Sequence, residues 1–116
     1  MYSEQELEQQ PLMDSDQWGR LENELGLEML REFSQEFFEE TREIWFVPGF
    51  DPFAMEEKAF KSMAHRSAGA AGTIGFKKLR FVFLCMEHNP LGEETQRYLS
   101  AMSTIFQSTQ DWVQSK

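Results

Sequence analysis

The chain has a single cysteine, Cys85, so no internal disulfide and no multi-cysteine metal site can form within it. Basic residues are scarce. Eleven Lys and Arg stand against 20 Asp and Glu among 116 residues, a formal net charge of −9. Nucleic-acid partners are held by clustered Lys and Arg, and anionic membranes by polybasic segments, so neither class of partner is expected. No apolar run approaches the roughly 18 residues of a membrane span. The opening residues, Met1 to Glu8, have neither the basic start nor the apolar stretch of a secretory signal. A cytoplasmic, monomeric protein is the expectation. There is no GxxxxGK[ST], GxGxxG or GxSxG pattern, and no histidine pair at metal-ligand spacing.

What is present suits a helical core. Hydrophobic residues make up 41% and aromatics 14%, with eleven Phe and seven Met; that is too apolar for an acidic disordered chain. Residues 1–13 are rich in Gln and Glu and read as a loose tail, leaving 14–116 as one domain. Asp14-Ser15-Asp16 offers helix caps ahead of Trp18, Leu21 and Leu25, and Gly26 closes that short helix. Leu27, Leu30, Phe33, Phe37, Thr41, Ile44 and Trp45 then recur every three or four residues, an amphipathic helix of about five turns.

Asp51 is placed to cap a third helix with Pro52 at its first position, ending at Gly75. Lys77–His88 forms a fourth, stopped by Asn89-Pro90, and a last helix runs from about Leu91 to Val113. Nothing alternates as a strand would. The expected fold is all-α: an antiparallel up-and-down four-helix bundle with a short extra N-terminal helix.

The third helix contains an anomaly, Ala64-His65-Arg66-Ser67-Ala68-Gly69-Ala70-Ala71-Gly72-Thr73-Ile74-Gly75. Each interior glycine costs about 1 kcal/mol against alanine, so two of them call for a reason. Small side chains permit close helix packing. Alternatively, Gly69, one turn from His65, leaves the imidazole open to a docking surface. Taken singly, a histidine in a helical protein is more often structural or merely exposed.

The segment resembles the signature of histidine-containing phosphotransfer domains. From the histidine, that signature reads Ala-His, an aliphatic two residues on, Lys, Gly, two small residues, an aliphatic and Gly, followed by Leu and then a Leu-Glu pair. Ala64-His65, Gly69, Ala70, Ala71, Ile74 and Gly75 match, and Leu79 and Met86-Glu87 follow in register. The resemblance spans about residues 14–113. The chain departs from it at Ser67, in the aliphatic position, and at Ala68, in place of the lysine that offsets phosphoryl charge. Lys61, one turn before His65, is a candidate substitute.

The resemblance implies a phosphorelay intermediate of two-component signalling. His65 accepts a phosphoryl group from the phospho-aspartate of a receiver domain and passes it to another receiver, on a response regulator or hybrid sensor kinase. It implies no cofactor or metal on this chain, because Mg²⁺ belongs to the receiver, and no autonomous kinase activity. Gly69 and Lys61 would neighbour the phosphate. Ser62, Arg66, Ser67, Ala68, Lys77 and Lys78 are candidates for the docking face. Six of the eleven cations lie between Lys58 and Arg80, either steering an acidic receiver or decorating solvated helix faces. The alternatives are a non-catalytic module that sequesters a receiver without using His65, and a structural or scaffold protein, or small unrecognised enzyme, whose motif is coincidental.

His88 reads as a surface or helix-end side chain and Cys85 as a small half-buried hydrophobe. Phe46, Phe50 and Phe53, bunched about Pro48-Gly49, read either as an end plug for the helices or as an exposed patch.

Overall fold

In the computed structural model, which describes residues 1–116, six α-helices and one short 3₁₀ turn account for all regular structure. They are α1 (Glu4–Gln9), α2 (Ser15–Leu25), α3 (Leu27–Trp45), α4 (Glu57–Ile74), α5 (Lys77–His88) and α6 (Glu93–Gln114), with the 3₁₀ turn at Pro52–Ala54. The fold is all-α, as the periodicity predicts. No helix is long and apolar enough to cross a membrane.

The helix boundaries follow local chemistry. The Asp14 side chain accepts from the Gln17 amide and caps α2. Gly26, at φ 84°, breaks the chain between α2 and α3 while serving as the end of one and the start of the other. Gly75, at φ 96°, ends α4 with its N–H directed back to the last turn, and α5 starts two residues later.

Two expectations are corrected. Residues 1–13 are not a loose tail. Ser3 caps α1, which packs on α5, and Leu7 and Met13 are buried in the core. The Gln- and Glu-rich composition hid this, because only those two apolar side chains are fully buried and their spacing marks no helical face. Asp51-Pro52 does not open the long third helix either. Asp51 accepts from the Phe53 amide and starts only the 3₁₀ turn, and α4 begins at Glu57 after Met55 and Glu56 have adopted extended backbone.

The core is one continuous apolar cluster. Phe38 and Phe76 stack at 5.4 Å, with Phe37 and Phe106 edge-on around them. Trp45 packs on Phe50, Phe60 and Phe83, and donates its indole N–H to Ser67 Oγ at 2.9 Å. Of the three loop phenylalanines, Phe50 plugs against Trp45, Phe46 leans on Phe106 and Phe53 stays exposed.

The most extensive helix contact is α4 on α5. Buried Ala64, Ala68 and Ala71 form the α4 side, and their small volume lets the two backbones approach.

Two consequences are measurable. Gly75→Ala forces a side chain into the left-handed region, with its Cβ 3.2 Å from the Asp14 carbonyl, and should lower unfolding free energy by about 1–2 kcal/mol in urea titrations. Gly69→Ala, whose Cβ meets nothing within 4 Å, should raise it by about 0.5–1 kcal/mol. Burial, helped by the charges of Glu6 and Glu4, pushes the Cys85 thiol up to about 12. The unfolded chain releases that proton near its ordinary value of about 9, so the folded state binds more protons between the two values and stability falls as pH rises through that window. The urea midpoint should therefore drop above about pH 9, and less steeply in Cys85→Ala.

Candidate functional site

His65 projects from the exposed face of α4 with its side chain 70% accessible. Its Nδ1 lies 2.9 Å from Oε2 of Glu87, on the last turn of α5. An ionised carboxylate only accepts, so Nδ1 carries the hydrogen and donates it. In the neutral imidazole this leaves the lone pair on Nε2, which makes no hydrogen bond or ion pair, on a largely exposed side chain. Glu87 is itself mostly covered, with 20% of its side chain accessible. Its Oε1 has no hydrogen bond, and His88 Nε2 stands off at 3.6 Å. The carboxylate thus lies between two imidazoles, with His65 the nearer.

The elements that hold this pair are short-range and rigid. The turn at Gly75-Phe76 folds α5 back along α4, so that His65 meets Glu87 two turns of helix beyond the point where Gly72 meets Arg80. A Cβ at Gly72 would lie 2.8 Å from Arg80 Cδ, so the glycine makes room for that side chain. At the far end of α5, the Tyr2 ring stacks on His88 at 4.7 Å, and Asn89 Nδ2 donates to the Tyr2 carbonyl at 2.8 Å. The N-terminal segment thus braces the turn that carries Glu87.

Several of the expected site residues meet here. Lys61, Ser62 and His65 line one shallow depression of about 380 Å³ with Glu87 and His88. Lys61 is half-buried, with its Nζ 3.9 Å from Glu57. Gly69 is exposed, and one turn further it borders a second depression shared with Gly72, Lys77 and Arg80. Arg66 is exposed but turns to the other side, lining a groove between α3 and α4.

Three expected docking residues are displaced from this face. Ser67 is buried at 7% exposure and holds the Trp45 indole, and Ala68 is buried at 2% against α5. Their positions on α4 turn them into the core, so neither can meet a partner. Lys78 lies nine residues before Glu87, half a turn away around α5, and its amide donates to Leu12 O of the N-terminal segment. That segment occupies the Lys78 side of the helix.

The motif includes Glu87 but gives it no partner, and nothing in the sequence marks Tyr2 as a neighbour of His88. The register of the α4–α5 hairpin about Phe76 is the signal that would have paired 65 with 87. No three His, Cys, Asp or Glu side chains converge as a metal-binding group. The remaining chemistry is that of one oriented imidazole: a nucleophile or proton acceptor at Nε2, with a carboxylate behind it to offset charge arising on the ring.

No protein-family model matches the chain, and neither the curated proteins nor the solved structures contain a match to it.

If Glu87 sets the tautomer, ¹⁵N-edited NMR at neutral pH should show the His65 Nδ1–H form dominant. Glu87→Ala should shift the ring toward the Nε2–H form, and an unchanged tautomer ratio would remove the carboxylate from the site.

Proposed function

We propose that the protein is a phosphohistidine carrier, accepting a phosphoryl group on His65 from the phospho-aspartate of a receiver domain and passing it to another receiver. The observation that supports this most strongly is the pairing of His65 Nδ1 with Glu87, which leaves an exposed, correctly tautomeric Nε2 beside the bare surface of Gly69. The Nε2 lone pair attacks phosphorus, and a P–N bond forms. The P–O bond to the aspartate breaks, and its electron pair leaves with the carboxylate. The positive charge that appears on the ring lies against Glu87, and no proton need move. The return step reverses each of these changes. Phosphoryl transfer asks a protein chiefly for positioning and charge compensation, which a single imidazole on a rigid helix can satisfy. Receiver Mg²⁺ and its ligands belong to the partner.

The same reading gives the fold a finer description: an antiparallel up-and-down four-helix bundle of α3–α6, with α2 as the short extra N-terminal helix. The contacts of α3 with α4, α4 with α5, α5 with α6 and α6 with α3 run in a closed ring, which is the neighbour order such a bundle requires. Ser62 and Lys61 beside the histidine, with Lys77 beyond Gly69, form the polar border of the proposed docking face. Lys61 replaces the family lysine near the phosphoryl group.

A second reading, a receiver-sequestering module that never uses its histidine, draws on Ala68. The residue that replaces the family's charge-offsetting lysine is packed into the core.

One assay separates them. With acetyl-phosphate-charged receiver domains, intact mass should show one added phosphate, acid-labile and base-stable, that is absent from His65→Gln. Glu87→Gln should load at least about tenfold more slowly, because a neutral amide no longer offsets the positive charge that forms on the ring. Binding to receivers without phosphate transfer across a panel would select the sequestering module. Neither binding nor transfer would defeat both readings.

A further inference from the structure

Outside the histidine face, α3 carries an apolar stripe that no other element covers. Met29, Phe33 and Ile44 are 45%, 44% and 40% exposed, and they fall on one line of the helix with Phe37 beneath it. From Met29 to Ile44 the line spans roughly 22 Å at 1.5 Å per residue. Met29 and Phe33 adjoin at one end of the line, and Ile44 lies roughly 16 Å beyond Phe33, with buried Phe37 and exposed Glu40 between them. On its α4 side the stripe runs into a groove whose walls include Ile44, Glu40, Met63 and Arg66.

Charge decides what fits there. By the 100° advance per residue, Glu36, Glu43 and Glu32 lie within about 60° of Met29 on the outer side of the stripe. Glu40 lies within the stripe itself and forms no ion pair, although Arg66 stands on the opposite wall. Of the two arginines on α3, Arg42 is committed elsewhere, 5.6 Å over the Phe106 ring, and Arg31 lies on the far side of the helix. An apolar line bordered on its outer edge by carboxylates is complementary to a helix with an apolar face and a basic flank. A neutral apolar partner would bury Glu40 without a counter-charge, which is costly. A second copy of the chain would oppose Glu40 and its acidic neighbours with another acidic flank. Anionic lipid would be repelled in the same way.

We propose that the α3 stripe, with the adjoining α3–α4 groove, is a docking site for a basic amphipathic helix of a partner protein, its apolar face on Met29, Phe33 and Ile44 and its cations over Glu36, Glu43 and Glu40. Arg66 on the α4 wall sets the orientation, placing the basic edge of the bound helix over the outer flank of α3. The proposal does not rest on phosphotransfer by His65.

The test uses the full chain and two labelled synthetic peptides of about 18 residues, each with Leu along one helical face, one with Lys on the other face and one with Glu. Fluorescence titration should give a micromolar Kd for the Leu/Lys peptide, at least about tenfold tighter than for the Leu/Glu peptide and weakened by salt. Met29→Ala with Phe33→Ala keeps every charge and should cost about tenfold in Kd. Glu32→Gln with Glu36→Gln and Glu43→Gln keeps the apolar line and should cost a similar factor; it also serves as the independent readout should the alanine pair fail to melt cooperatively. Failure of the Leu/Lys peptide to bind would overturn the proposal, as would equal binding to wild-type and both variants, which would mean attraction to net charge alone. A concentration-dependent dimer in sedimentation that Phe33→Ala dissolves would also overturn it, by giving the face to a second copy.

Discussion

The contact between α4 and α5 organises the molecule. Three alanines, Ala64, Ala68 and Ala71, replace the larger side chains that would hold the helices apart. The left-handed Gly75 returns the chain so abruptly that only two residues separate α4 from α5. Close approach has two effects. It buries Leu79, Val82, Phe83 and Met86 of α5 in the core, and it brings the polar edges of the two helices together along one exposed seam. His65, Glu87, Gly72 and Arg80 all lie on that seam. A bulkier α4 would separate the imidazole from its carboxylate before it exposed any core. The same small residues therefore support both packing and chemistry, and the two explanations offered for them from sequence are compatible.

How far the sequence could be read depends on which residues carried the information. Helix α5 was legible to the residue because Gly75 and Asn89-Pro90 punctuate it and its apolar positions repeat cleanly. The exposure of His65 is legible from Gly69, one turn on, which leaves the imidazole unshielded. Reading Ser67 and Ala68 as part of a contiguous motif misplaces them: helical periodicity sets Ser67 about 160° from His65, and Ala68, only about 60° from it, falls on the flank that packs into the core. The N-terminal segment was illegible for a different reason. Its order comes from contacts far away in sequence, such as Tyr2 on His88 and the Asp14 amide on the Gly75 carbonyl, and local composition does not encode those.

Net charge conceals an uneven distribution. Carboxylates dominate the outer face of α3, while in the shallow depressions on either side of His65 the cations Lys61, Lys77 and Arg80 are accompanied by Glu57, Glu87 and Asp14. The acidity of the chain is therefore concentrated away from the histidine, and a partner approaching His65 meets a face where opposite charges are balanced.

The helical hairpin also constrains the length of the chain. Residues on α4 and α5 meet in pairs whose numbers sum to a constant, 72 with 80 and 65 with 87. One residue added to or taken from α5 beyond Arg80 would leave both helices and the turn intact. It would nevertheless rotate every later position by about 100° and carry Glu87 off the seam. Substitutions along this stretch can be absorbed singly, but insertions and deletions cannot, so its length is fixed more tightly than its composition.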